Sequence, residues 1–331
     1  EGIYIRAGVK LTLSGYNLET GITISVDAEI QQTGACIMPS RLFFDIIRKL
    51  PDDTVSISVD EKFKVSIRGG ISSFTITAMS SEDYPELPEV ESDKGISLPQ
   101  NELKAMIGGT SFAVSENQAR PIHTGCLFEV EDTSITVVAV DGYRLALRRW
   151  KSEEPIGRTL KFVVPAAALK EAEKILGDTD DPCTFFLGSK HILFTIGEAT
   201  LVCRLLEGEF LDWRRVLPQN QPVKLAVNVA KMTDSIERVG LIISEKLKSP
   251  VRCKFGENTA DFRSVSTIGE AHDVCQIAGD GQDMEIGFNC RYLLDALRAI
   301  PDAECSLELI NGLSPIVMNP CDGSERYSYM V

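Results

Sequence analysis

No two of the nine cysteines form a CxxC pair, and only three histidines, His123, His191 and His272, occur in 331 residues. The cysteines (Cys36, Cys126, Cys183, Cys203, Cys253, Cys275, Cys290, Cys305, Cys321) are odd in number and scattered. That pattern argues against a disulfide framework or a zinc ribbon and for reduced core thiols. The separated histidines leave little material for a metal site or a His-dependent triad. No stretch approaches the roughly 18 consecutive apolar residues of a membrane span, and the opening EGIYIRAGVKL lacks the layout of a secretory leader. A cytoplasmic protein with no membrane partner is therefore expected. Also missing are GxGxxG, GxxxxGK[ST], HExxH and GxSxG, so neither catalysis nor a cofactor nor a metal is expected. GDGQD at 279–283 lacks the alternating ligands and closing Glu of a calcium loop and reads as a surface turn. There is no basic excess either: the net charge is −14, which taken alone argues against a nucleic-acid partner.

What is present is a repeat. With 44% hydrophobic and 25% charged residues, the chain has the composition and length of two or three globular domains. Five stretches share one plan, an apolar strand ending in Pro or Asn and then an amphipathic helix: CIMPSRLFFDIIRKL, ISLPQNELKAMI, FVVPAAALKEAEKIL, LAVNVAKMTDSIERV and IGFNCRYLLDALRAI. Their junctions at Pro39, Pro99, Pro165, Asn228 and Asn289 lie 60, 66, 63 and 61 residues apart, a period that marks a repeated architecture. Pro suits a first helical turn and Asn caps one. Apolar residues recurring at three and four (Leu42, Phe43, Ile46, Ile47, Leu50; Val229, Met232, Ile236, Val239) give each helix one greasy face. About three strands follow each helix. A hairpin, VVAVDGYRLALRR from Val137, also has a looser counterpart, LTLSGYNLETGI, 126 residues earlier. Two units make one domain, so the pattern predicts an α+β fold with domains at 1–94, 95–220 and 221–331. Linker-like stretches run from Glu82 to Gly95 and from Val216 to Pro222. The stretch before Pro39 is all strand, and a first helix is expected to be missing from this sequence.

Charge is unevenly placed. The five helical stretches hold ten basic residues against seven acidic, about +3, which leaves about −17 for the rest. If all helices lay on one side, a weakly positive surface would oppose an acidic one, and a polyanion would be held loosely.

Together, the repeated half-domains, DGYRLALR, EGEFLDWRRVLP and FNCRYLLDAL resemble the bacterial DNA sliding clamp family, the beta subunit of DNA polymerase III, along the whole chain. The resemblance implies a DNA clamp fold of three similar domains, helices on the inner face and sheets outside, in a head-to-tail homodimeric ring. It implies a processivity factor that encircles double-stranded DNA in the nucleoid without sequence preference. Replicative polymerase, clamp loader and repair proteins would dock through short peptide motifs. The matching peptide-pocket positions are His123, Gly142, Tyr143, Arg144, Leu145, Leu211, Arg215, Val216, Leu247, Asn289, Tyr292, Leu313, Pro315, Met330 and Val331. Leu145, Val216, Leu247 and Leu313 would offer apolar surface, and Arg144, Arg215 and Asn289 donors. Arg41, Lys49, Lys104, Arg120, Lys174, Lys231 and Arg291 would face DNA. Tyr143, His123, Leu211 and Trp213 stand where the family commonly has His, Leu, Pro and Tyr, and Ala166 and Ala167 where it often has basic residues. The chain stops several residues short of the family's usual end, and weaker peptide binding is expected from that. Two other readings stay open: a hydrolase built on Asp141 and Asp212, and a repeat-built protein-interaction scaffold without DNA.

Overall fold

A computed structural model describes residues 2–51, 53–91, 94–243 and 249–331. At each of the five junctions a strand does pass directly into a helix. Strands β1 (Gly2–Ala7), β2 (Leu11–Tyr16), β3 (Thr20–Val26) and β4 (Gly34–Pro39) lead into α1 (Ser40–Lys49) and then β5 (Ser56–Val59), β6 (Lys64–Gly69) and β7 (Ser72–Thr77). Next come β8 (Ile96–Pro99), α2 (Gln100–Gly108), β9 (Gly125–Glu131), β10 (Ser134–Val140), β11 (Leu145–Lys151), β12 (Leu160–Pro165), α3 (Ala166–Ile175), β13 (Pro182–Leu187), β14 (His191–Ile196) and β15 (Ala199–Arg204). The chain continues through β16 (Val223–Asn228), α4 (Val229–Gly240), β17 (Val251–Ser266), β18 (Gly269–Phe288), α5 (Cys290–Ala299), β19 (Glu304–Leu309), β20 (Val317–Pro320) and β21 (Tyr327–Met330).

The junction chemistry differs in one detail from the expectation. Pro39 and Pro165 precede the first helical turn, with extended ψ of 108° and 133°. Pro thus closes the strand, and the helix starts on the next residue. The asparagines cap as expected: Asn228 accepts from the Lys231 N–H, and Asn289 from those of Arg291 and Tyr292. In α1 the buried stripe is Phe43 and Ile46, flanked by Ile47 and Leu50, whereas Leu42 is 48% exposed and falls off the face assigned to it.

The chain packs as two compact units, Glu1–Gln100 with Asp181–Arg204, and Asn101–Asp180 with Leu205–Val331. In the first, an eight-stranded sheet runs β4-β1-β2-β3-β15-β14-β13-β8 beside the three-stranded β5-β6-β7. Its core joins Ile5, Cys36 and Met38 to Phe43 and Ile46 of α1 and to Val65 and Ile67 of β6. The acidic segment after β7 is fastened to this sheet. Tyr84 stacks on Tyr4 at 5.0 Å and donates its hydroxyl to the Ser14 carbonyl, and Leu87 lies against Gly21, where a Cβ would come within 2.8 Å of it. In the second unit, a ten-stranded sheet runs β12-β9-β10-β11-β21-β20-β19-β16-β18-β17. Val229, Met232, Ile236 and Val239 of α4 are all buried, as the periodicity predicts.

Two sequence features take a different form from the one expected. GDGQD is exposed at four of its five residues, as expected, but it interrupts β18 as a bulge and does not stand between strands, with Gln282 and Asp283 at positive φ where the β17–β18 register shifts. The two hairpins repeat in plan and not in register. Gly142 and Tyr143 sit in the turn, held by Asp141, but Gly15 and Tyr16 belong to β2, and Asn17 does the work of Asp141 by accepting from the N–H groups of Glu19 and Thr20.

All nine cysteines are free, seven of them buried, Cys290 half-buried and Cys321 exposed. Burial pushes the Cys126, Cys183, Cys203 and Cys305 thiols up to about 12. Since the thiolate is the reactive form, iodoacetamide at pH 8 should modify Cys321 in the folded protein, and these four only on unfolding. Peptide mapping after a timed quench reads this, and rapid native labelling of Cys126 or Cys203 would contradict the packing.

Candidate functional site

The β10–β11 turn is built by one aspartate. Asp141 Oδ1 accepts the backbone N–H groups of Tyr143 (2.9 Å) and Arg144 (3.0 Å), and Gly142 supplies the positive φ of 94° that an L side chain resists. The turn throws Tyr143 outward, 75% exposed, and folds Arg144 inward, 6% exposed. Arg144 Nε donates to Asp141 Oδ2 (3.0 Å), one terminal nitrogen to Asp295 Oδ2 of α5 (2.7 Å), and the other to the Phe112 carbonyl (2.6 Å). Its guanidinium also stands 4.3 Å from the Tyr292 ring centre and 5.3 Å from that of Phe112. Arg144 therefore braces the hairpin against α5, and three of its five N–H donors are committed within the protein. At the start of α5, Asn289 uses Oδ1 as the cap, which leaves its amide NH2 as the donor. Tyr292 lies 6.1 Å from Tyr143, so the two rings form one lip.

Leu145, the first residue of β11 after this turn, belongs to an apolar cluster with Leu127, Val138, Val140, Leu147, Val163, Phe210, Trp213, Val317 and Met330, on which Ile122, Leu206, Leu211 and Leu217 pack. Leu145 and Met330 are buried, so they floor the region and do not line its surface. A shallow depression of about 390 Å³ opens beside them, lined by Arg120, Ile122, His123, Glu209, Phe210 and Leu211. The His123 ring sits 5.1 Å from Phe210. Burial, aided by the Arg120 charge, holds the His123 imidazole below its ordinary value, so it presents a neutral aromatic wall at neutral pH.

The other expected pocket residues are more dispersed. Val216 is 39% exposed, and Arg215 is exposed and paired with Asp212 at 3.1 Å. Leu313 is 99% exposed on a turn whose Asn311 side chain accepts its N–H. Pro315 is half-buried, and Val331 exchanges backbone hydrogen bonds with Ile316. Leu247 lies outside the described residues.

Of the cations expected to face DNA, Arg41, Lys49, Lys231 and Arg291 are exposed on α1, α4 and α5. Lys104 is partly buried and paired with Asp178 (2.9 Å), and Lys174 with Glu171 (2.8 Å); exposed pairs of this kind are worth only about 0–1 kcal/mol and open easily. Arg120 is the exception in placement, on no α-helix and at the rim of the depression with His123. Ile122, Glu209, Phe210 and Phe112 were not singled out from the sequence, although Glu209 and Phe210 lie within the EGEFLDWRRVLP stretch. Asp141, the base of the hydrolase reading, is held by its turn and by Arg144.

Three family models match consecutive parts of the chain: DNA polymerase III beta subunit, N-terminal domain over residues 1–88, central domain over 97–212 and C-terminal domain over 214–330. The beta sliding clamp of Staphylococcus epidermidis is 33% identical over 328 residues, covering 95% of this chain and 85% of that protein. That of Staphylococcus aureus is 32% identical over 322 residues, 94% and 85%. Among solved structures, the DNA polymerase sliding clamp of Bacillus subtilis superposes with a TM-score of 0.93 at 28% identity, over 100% of this chain and 90% of that one. The DNA polymerase III beta subunit of Thermotoga maritima gives 0.90 at 26%, with the same coverage. The shared architecture is α+β with three similar domains.

Proposed function

The chain belongs to the DNA polymerase III beta subunit family, the beta sliding clamps of DNA replication, and from that premise we propose that it acts by topology and not by adhesion. Two copies close head to tail into a ring around duplex DNA, and the cleft beside Tyr143 and Tyr292 tethers replicative polymerase, clamp loader and repair proteins through short peptides. The protein has no catalytic role of its own and works in the cytoplasm at the nucleoid. Its domains fall at 1–94, 95–220 and 221–331.

The observation that carries this reading is the manner in which repeats join. β3 pairs with β15 inside one sheet and β11 with β21 inside the other, each time antiparallel and edge to edge. One kind of joint used serially leaves an edge at each end of the series, and β17, whose register against β18 shifts on either side of Glu257, ends the ten-stranded sheet. Long unpaired edges invite another chain, and a second copy would satisfy it. Net acidity suits a ring, because a clamp that slides must not stick, and phosphate contacts by a few exposed cations carry no sequence information. Among the described residues no helix is long and apolar enough to cross a membrane.

The test is retention on nicked circular DNA after loading by the cognate loader at moderate salt, followed by linearisation. Encirclement predicts release when an end is created. Equal retention before and after would show adhesion, and a monomer mass by light scattering would remove the ring.

A further inference from the structure

We propose that Glu129 is a positioning residue for the peptide cleft: its buried carboxylate sets the register of residues 211–216 against the sheet. This rests on the cleft proposed above. Alternation along β9 puts Leu127 and Glu129 on one face, and that face is covered by the segment carrying Phe210, Leu211, Trp213 and Leu217. Glu129 is only 7% exposed. Its Oε2 accepts the Trp213 indole N–H at 3.0 Å and an Arg214 N–H at 2.8 Å. Its Oε1 meets Lys161, its neighbour on β12, at 3.3 Å. Arg214 reaches on to Glu131 at 3.3 Å and lies 4.3 Å over the Trp213 ring.

A carboxylate is a poor choice if stability alone is needed there. Burying an ion costs several kcal/mol before its partners compensate, and apolar replacements of buried ion pairs are often neutral or stabilising. Direction is what the carboxylate adds. The apolar contacts of Phe210, Leu211 and Leu217 are non-directional, so a small slip along the sheet would change their burial little. A slip would break the indole hydrogen bond outright and leave a buried polar group unpaired, which costs about 1–3 kcal/mol. Trp213 then transmits the register: its carbonyl accepts the N–H groups of Val216 (3.1 Å) and Leu217 (3.2 Å), and Leu211 stands two residues before it. Leu211, which lines the depression, and Arg215 and Val216 beyond it are thus held by a residue that is itself buried beneath the segment.

The experiment compares the full chain with Glu129→Gln and with the double variant Glu129→Met/Trp213→Phe, which removes both buried polar partners and orphans neither. Affinity is read by fluorescence anisotropy of a fluorescein-labelled hexapeptide carrying Leu and Phe anchors, and stability by urea midpoint. Exchange of the Trp213 indole N–H is followed by NMR, where Trp150 is the only other tryptophan. Val65→Ala, in the core of the other unit, serves as a control for stability lost away from the cleft. The double variant should fold with a midpoint near the parent's and yet bind roughly fivefold to tenfold more weakly, because ordering the segment is then charged to binding. Glu129→Gln should fall between and speed indole exchange, while Val65→Ala should lose stability and keep its affinity. Parent-like affinity in both Glu129 variants overturns the positioning role alone. Absence of binding by the parent sinks the cleft itself, and the positioning role with it.

Discussion

Arg144→Ala is expected to cost about 3–5 kcal/mol of unfolding free energy, the range for removing one partner of a buried ion pair. The substitution strips three hydrogen-bond acceptors at once, Asp141, Asp295 and the Phe112 carbonyl. The Asp141 and Asp295 side chains, 11% and 22% exposed, would keep charges that solvent reaches poorly. Two ring faces, Phe112 and Tyr292, would also lose their cation. Arg144→Lys should recover less than half of the loss, because an ammonium cannot serve three acceptors in one plane and stack between two rings. The Arg144→Ala/Asp295→Asn double variant separates the contributions: it should be more stable than Arg144→Ala, since it removes a stranded carboxylate. Urea unfolding with matched slopes measures all three, and a loss below about 1 kcal/mol for Arg144→Ala would place the guanidinium in the ordinary surface class. Because Tyr292 rests on this guanidinium, peptide affinity should fall along with stability.

That expectation could not have come from the linear pattern, and the reason is physical. In YRLALRR the basic residues alternate with apolar ones, which reads as cations pointing to solvent. Arg144 breaks the reading because its partners lie 32 and 151 residues away, at Phe112 and Asp295, and no local periodicity reports on them. Glu129 is hidden likewise: CLFEVEDT alternates like a half-exposed strand, and only the covering segment around Trp213 makes its carboxylate interior. Local chemistry was legible where local forces decide. Strands end and helices begin at all five Pro or Asn junctions, since a missing N–H or a capping oxygen acts within one turn. The buried stripe of α4 follows from its own spacing. Sheet edges are not local, which is why the middle third of the chain, contiguous in sequence, contributes β8 and β13–β15 to one sheet and β9–β12 to the other. The apolar site residues split the same way. Leu145 and Met330 proved to be floor, and Val216 and Leu313 surface, because composition sets which residues are apolar but only packing sets which of them stay uncovered.

Tyr329→Ala should be as costly as the loss of Arg144, about 3–5 kcal/mol for deleting a large buried aromatic. Tyr329 is fully buried on β21, opposite Ala146 of β11 and Met318 of β20, stacked on Tyr327 at 5.4 Å and tilted against Phe112 at 6.0 Å. Its hydroxyl donates to the Ala299 carbonyl at 3.1 Å, at the end of α5. One side chain thus joins the β11–β21 pairing to the helix that carries Asn289 and Tyr292. Tyr329→Phe keeps the ring and loses one hydrogen bond, so near pH 7 it should cost only about 1 kcal/mol. At high pH the order should change. Burial pushes the Tyr329 phenol up to about 12 from an ordinary value of 10.0. A group whose folded value is raised contributes stability that is complete below its unfolded value and is lost as pH climbs towards the folded one. Between about pH 10 and 12 the parent should therefore surrender on the order of 2–3 kcal/mol through this phenol, a loss that Tyr329→Phe cannot suffer. Urea midpoints at pH 7 and pH 11 should show the difference between parent and Tyr329→Phe shrinking or reversing in favour of the phenylalanine. A constant difference across that range would mean that the hydroxyl titrates normally and that the joint between β21 and α5 is open to water.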